Sequence, residues 1–259
     1  MSEPRSSGGL LSIAEDRGAV YLRVTEPVGL GAEAGRLAWQ MVDACTRIRE
    51  REDPLVAVAL IGTGAAFCSR PPQSAGDCDA ASSAWREATS ALAAVSAATI
   101  AVLGGDAIGP AFELALACDV RIAADGIRLG AQEVRWGRIP AAGGTQRLAR
   151  LVGRGVALRM LLLGELLTAA EALDLGLVHR TAPEESVEAC LEELLDGLRA
   201  AAPIALAYTK EAIREGSDRP LKSGLVLEAD LAALLQTTRD RAEGIRAFME
   251  HRAPRFEGR

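Results

Sequence analysis

The chain has 259 residues, enough for one large domain with a helical appendage, and 49% of them are hydrophobic, which excludes a disordered chain. The net charge of -6 weighs against a nucleic-acid partner, which basic patches would have to hold. Aromatic residues make up only 3%, so the core must be aliphatic, and Lys210 and Lys222 are the only lysines.

The five cysteines, Cys45, Cys68, Cys78, Cys118 and Cys190, are odd in number and form no CxxC pair. That argues against a disulfide framework or a zinc site and for a reducing compartment, here the cytoplasm. Met1 to Gly9 is polar and reads as a tail without an apolar signal core, and no apolar run reaches membrane-spanning length.

From residue 10 the chain predicts strands over 10–14 and 19–24, a helix over 32–51 and a buried strand over 55–61. Residues 62–80 read as a long irregular stretch rich in Gly, Pro, Ser and Asp. A helix over 81–95, a strand over 99–103, a helix over 110–118, a strand over 120–123 and a strand-like segment over 127–134 follow. The remainder reads as helices at 144–152, 154–163, 169–175, 184–201, 204–215 and 221–251, the last broken near Arg239. This order predicts a tail over 1–9, an α/β core over 10–200 and a C-terminal helical region over 201–259.

Two carboxylates stand out. Glu113 is the only polar side chain in the run from Pro110 to Ala117, a stretch apolar all round and therefore expected to be buried. A buried carboxylate must be paired, hydrogen-bonded or protonated, and burial raises its pKa towards the acid/base range. A cap or a buried salt bridge accounts for Glu113 equally well on residue type and position. Glu133 alone reads as a surface residue at a strand end. Its interest is as a second carboxylate across a strand and a turn, since two carboxylates can divide acid and base roles.

The stretch Glu113-Leu114-Ala115-Leu116-Ala117-Cys118-Asp119, with Gln132-Glu133-Val134, Ile139-Pro140 and Gly143-Gly144-Thr145-Gln146-Arg147-Leu148, resembles the signature region of the enoyl-CoA hydratase/isomerase (crotonase) superfamily. Thr168 to Ala172 and Arg241 to Phe248 extend the resemblance over nearly the whole chain. It implies a spiral of ββα units with a C-terminal helical region, assembled as a homotrimer or dimer of trimers, and a substrate that carries coenzyme A, with no other cofactor. It also implies that Glu113 activates water for addition across the 2,3 double bond of an enoyl-CoA, and that Glu133 exchanges the proton at the α-carbon. The backbone of Ser69 matches one oxyanion donor; Cys68, Arg70, Gly109, Phe112 and Phe248 fall at substrate-contacting positions.

Two departures leave other crotonase chemistry open, namely isomerisation, decarboxylation or C–C hydrolysis, as well as weakened acyl-CoA binding without turnover. Arg70-Pro71-Pro72 follows Ser69, and Pro71 restricts the residue before it. Pro110 stands where the resemblance implies the second donor, and proline has no N–H, leaving Ala111 as the nearest substitute.

Overall fold

The structure, a computed structural model, describes residues 10–25, 32–62 and 75–259. Its main sheet has six strands in the order β1 (Leu11–Asp16), β2 (Ala19–Val24), β3 (Ala57–Gly62), β4 (Ala98–Leu103), β6 (Val120–Ala124) and β9 (Arg180–Ala182). β1 and β2 form an antiparallel hairpin, and β2, β3, β4, β6 and β9 run parallel. The hairpin turn places Arg17 and Gly18 at positive φ, 44° and 76°, as a two-residue hairpin connection demands.

Parallel strands are covered on both faces and so read as continuous apolar runs rather than alternations. β3, Ala-Val-Ala-Leu-Ile-Gly, is buried at every position. Helices α1 (Ala32–Arg49) and α2 (Ala75–Ala93) pack together, and α6 (Val187–Arg199) lies against β4, β6 and β9. The core is aliphatic, as the composition requires, with Leu22, Leu60, Ile61, Ile100, Leu103 and Ile122 among its largest fully buried side chains.

A second, three-stranded sheet positions the site. β5 (Ala107–Ile108) pairs in parallel with β7 (Arg128–Gly130), and β7 pairs antiparallel with β8 (Leu166–Thr168). Helix α3 (Pro110–Ala117) leaves directly from β5. α4 (Gly144–Leu163) is broken at Gly153, whose φ of 79° and ψ of 158° separate two helical halves. The expected division at residue 153 appears there. α5 (Ala169–Asp174) begins with a capping box between Thr168 and Glu171. α7 (Pro203–Ser217), α8 (Leu221–Leu235) and α9 (Arg239–Met249) form the C-terminal helices.

The strand-like reading of 127–134 needs correction. The strand stops at Gly130, and Glu133 opens a short 3-10 turn, Glu133–Trp136. β5, β8 and β9, of two or three residues each, are strands that the sequence did not predict.

Candidate active site

The α3 entrance follows from two residues. Gly109 adopts φ 64° and ψ -128°, a conformation that L side chains disfavour, and its N–H donates to the carbonyl of Gly130 at 2.9 Å. Pro110 then occupies the first helical position, where its missing N–H costs the helix nothing and its fixed φ suits the turn. One turn in, Glu113 is 2% exposed.

Glu113 Oε1 accepts two backbone N–H groups, from Ala142 at 2.8 Å and Gly144 at 2.7 Å. A Cβ on residue 144 would stand 3.0 Å from that oxygen and 2.9 Å from Pro140 Cβ, so only glycine lets the amide approach so closely. The turn that carries both amides is held from behind. Thr89 Oγ1 and Arg147 Nη1 donate to Ala142 O at 2.9 and 2.8 Å, and Arg86 Nε donates to Ala141 O at 3.2 Å. Despite its two donors, Glu113 has its pKa pushed up to about 7, because burial outweighs the amides and the nearby Arg147, and Glu133 adds to the rise.

Glu133 is 8% exposed, which overturns its reading as a surface residue. Its Oε2 is buried and finds no hydrogen-bond partner among the described residues. Burial raises its pKa, opposed by backbone amides of the 3-10 turn and by Arg138. What brings the two carboxyls together is strand pairing. Ile108 pairs with Gly130 across the parallel β5–β7 ladder, and each strand delivers its glutamate just past its C-terminal end. Parallel neighbours point their C-terminal ends the same way, and that edge is where α/β sheets place their sites.

Both glutamates line one cavity of about 30 Å³, shared with Ser82, Trp85, Pro110, Trp136 and Arg138. A water needs roughly 10–15 Å³ by this measure, so the cavity holds one or two. A larger cleft of about 910 Å³ lies beyond the Ala141–Gly143 turn, among Arg147, Arg150, Lys210 and Arg214, but neither glutamate lines it.

α3 is anchored at its other end by Arg121, which is 1% exposed. Its guanidinium donates to Leu177 O at 2.6 Å, Ala115 O at 3.3 Å and Cys118 O at 2.6 Å, satisfying carbonyls at the helix C-terminus. His179, whose Nδ1 accepts the Arg121 N–H at 3.1 Å, has a structural place there.

Ala111 lies in the first turn of α3, where a helix amide has no partner within its own helix. Phe112 is 1% exposed within the hydrophobic core and is not among the residues lining the cavity. Phe248 stands 80% exposed on α9 and is not among the residues lining the cavity. Asp106 accepts from the Arg128 backbone at 2.7 Å and pairs with its guanidinium at 3.0 Å. Cys68, Ser69 and Arg70 lie outside the described residues. Trp85, Ser82 and Arg138 were missed from the sequence because nothing in their spacing marks them; only the fold brings α2 against the 3-10 turn.

The profile of the enoyl-CoA hydratase/isomerase family matches residues 20–259. The chain belongs to this family. It is 33% identical to the mitochondrial enoyl-CoA hydratase domain-containing protein 2 of Bos taurus, over 99% of this chain and 92% of that protein. It is 42% identical to the 2,3-dehydroadipyl-CoA hydratase of Escherichia coli over 160 residues, 62% of this chain and 63% of that one. The crystal structure of enoyl-CoA hydratase from Bacillus anthracis superposes with a TM-score of 0.88 at 31% identity, over 96% of this chain and all of that one. The α/β crotonase-like fold is therefore shown, and the cavity sits in an acyl-CoA-binding family.

Proposed function

We propose that the chain hydrates the 2,3 double bond of an enoyl-CoA thioester, a lyase reaction. One observation carries the reading: two buried carboxyls, delivered by adjacent parallel strands, wall a single water-sized cavity. Glu113, with a pKa near 7, is poised to take a proton from water at neutral pH. The water oxygen bonds to the β-carbon, the π electrons move towards the thioester oxygen, and the α-carbon takes a proton from Glu133. Passage of a proton from Glu113 to Glu133 then resets the pair. The backbone of Ser69 and the Ala111 N–H at the positive end of α3 are the donors assigned to the thioester oxygen. The chemistry needs only water and the CoA thioester.

Pro110 favours a second reading. Loss of one oxyanion donor lowers kcat by roughly 10²–10³. Such a chain could bind acyl-CoA with little hydration, or run an isomerisation, decarboxylation or C–C hydrolysis. The test is direct: crotonyl-CoA, longer and branched enoyl-CoAs and 2,3-dehydroadipyl-CoA are assayed for loss of the conjugated enoyl absorbance. The last belongs in the set because the E. coli relative bears it in its name and because Arg138 lines this cavity. Turnover that disappears in Glu113→Gln and Glu133→Gln supports hydration. Tight CoA-thioester binding with no turnover of any of them supports the second reading.

A homotrimer or dimer of trimers is proposed as the assembly. Exposed apolar side chains on α8 and α9, among them Leu221, Leu225, Val226, Phe248 and Met249, support buried subunit contacts. Light scattering on the purified protein decides it. The cytoplasm is the compartment proposed, supported by Cys45, Cys118 and Cys190 being free thiols. Among the described residues no helix is long and apolar enough to cross a membrane.

A further inference from the structure

We propose that the indole N–H of Trp85 holds the oxygen atom that water contributes to the product. This rests on the hydration reading above and adds a third group to its two carboxyls. Trp85 is on α2, which also brings Ser82 to the cavity, and it is 5% exposed. Its Nε1 is fully buried and has no hydrogen-bond partner among the described residues. Buried indole N–H groups ordinarily find an acceptor. Among the described residues, three buried side-chain polar atoms lack a partner, and two of them, Trp85 Nε1 and Glu133 Oε2, belong to residues lining the same small cavity. One is a donor and the other belongs to a carboxyl. A single oxygen bearing a hydrogen, placed between them, satisfies both.

Water has two hydrogens and two lone pairs. Glu113 and Glu133 engage the hydrogens. The Trp85 N–H occupies one lone pair, and a single lone pair remains for the β-carbon. The O–C bond forms from that pair, one O–H bond breaks with its proton passing to Glu113, and the α-carbon takes the Glu133 proton. The oxygen stays where it was, now as the β-hydroxyl of the 3-hydroxyacyl product, still accepting from Trp85. The indole therefore distinguishes ligands with a β-oxygen from ligands without one.

Calorimetry with 3-hydroxybutyryl-CoA and butyryl-CoA reads this without turnover. The wild-type protein is expected to bind the hydroxy compound more tightly. Trp85→Phe keeps a ring and removes the N–H; it is expected to weaken 3-hydroxybutyryl-CoA about tenfold while leaving butyryl-CoA within twofold. In hydration assays the same variant should lose about tenfold in kcat with little change in KM for crotonyl-CoA. Equal wild-type affinity for the two ligands, or equal weakening of both in Trp85→Phe, overturns the assignment. If Trp85→Phe does not fold, 3-benzothienylalanine at position 85, which keeps the bicyclic ring and lacks the N–H, is read in the same way. A protein that hydrates nothing, yet discriminates the two ligands and loses that discrimination in Trp85→Phe, refutes the hydration reading and keeps the indole–oxygen contact.

Discussion

The Gly144 amide donates to Glu113 Oε1 over 2.7 Å, and the same glycine leaves no room for a side chain between them. Glycine here is a requirement of the carboxylate and not of the turn alone. Gly144→Ala places a Cβ 3.0 Å from Oε1 and 2.9 Å from Pro140 Cβ, so one neighbour must retreat. The variant is expected to lose about 1–3 kcal/mol of stability through overpacking. Its hydration rate should fall with it, as the carboxyl leaves its place. Denaturant unfolding and steady-state assay check both.

Glu113 also ties stability to pH. Its folded-state pKa of about 7 lies above the ordinary value of 4.5, so the folded protein holds a proton that the unfolded chain releases. That contribution is fully present below about pH 4.5 and is lost as pH rises through about 7. Glu113→Gln keeps an oxygen for the two amides and removes the titration. The stability of the variant relative to wild type should rise by about 2–3 kcal/mol between pH 5 and pH 8, followed by melts at each pH.

Activity should follow the opposite sign. The base form of Glu113 grows as pH rises through about 7, so kcat/KM should climb over that interval. Glu113→Gln should lack this rise and lose about 10²–10⁴ in rate at pH 8. A pH–rate profile of both proteins decides it.

Pro110→Gly tests the helix entrance. It restores an N–H at the first helical position, at a cost of up to about 1 kcal/mol from glycine's backbone freedom. A rise of roughly 10² in kcat is expected if the thioester oxygen sits against that amide. An unchanged rate would mean that the reaction does not use it.

Arg121→Met should be the most disruptive single change away from the carboxyls. It removes the guanidinium donors to Leu177 O, Ala115 O and Cys118 O in a site that is 1% exposed. A loss of about 3–5 kcal/mol is expected in urea unfolding.

Much of this was legible from the sequence because local chemistry agreed with the fold. Gly109-Pro110 marked the α3 start, and the all-apolar run around Glu113 marked its burial. The apolar blocks of β3 and β4 marked strands. Glu133 was misplaced because a 3-10 turn of four residues has no period to detect, and its burial comes from strand pairing far away in the chain. β5 is two residues long and carries no pattern, yet its register with β7 brings the glutamates together. Phe112 was placed at the substrate by the resemblance alone; it is packed in the hydrophobic core. Trp85 left no signal, since an aromatic on a helix reads as packing until its N–H is followed to an acceptor.

Glu113 is fastened through one oxygen only. With Oε1 committed to two amides of a braced turn, the carboxyl cannot spin, and the atom it offers is always Oε2. A base that acts from one fixed direction delivers hydroxide to a single side of a flat alkene. In the proposed hydration, the two backbone amides of the Ala142–Gly144 turn thereby help to fix which face of a bound alkene the hydroxide reaches.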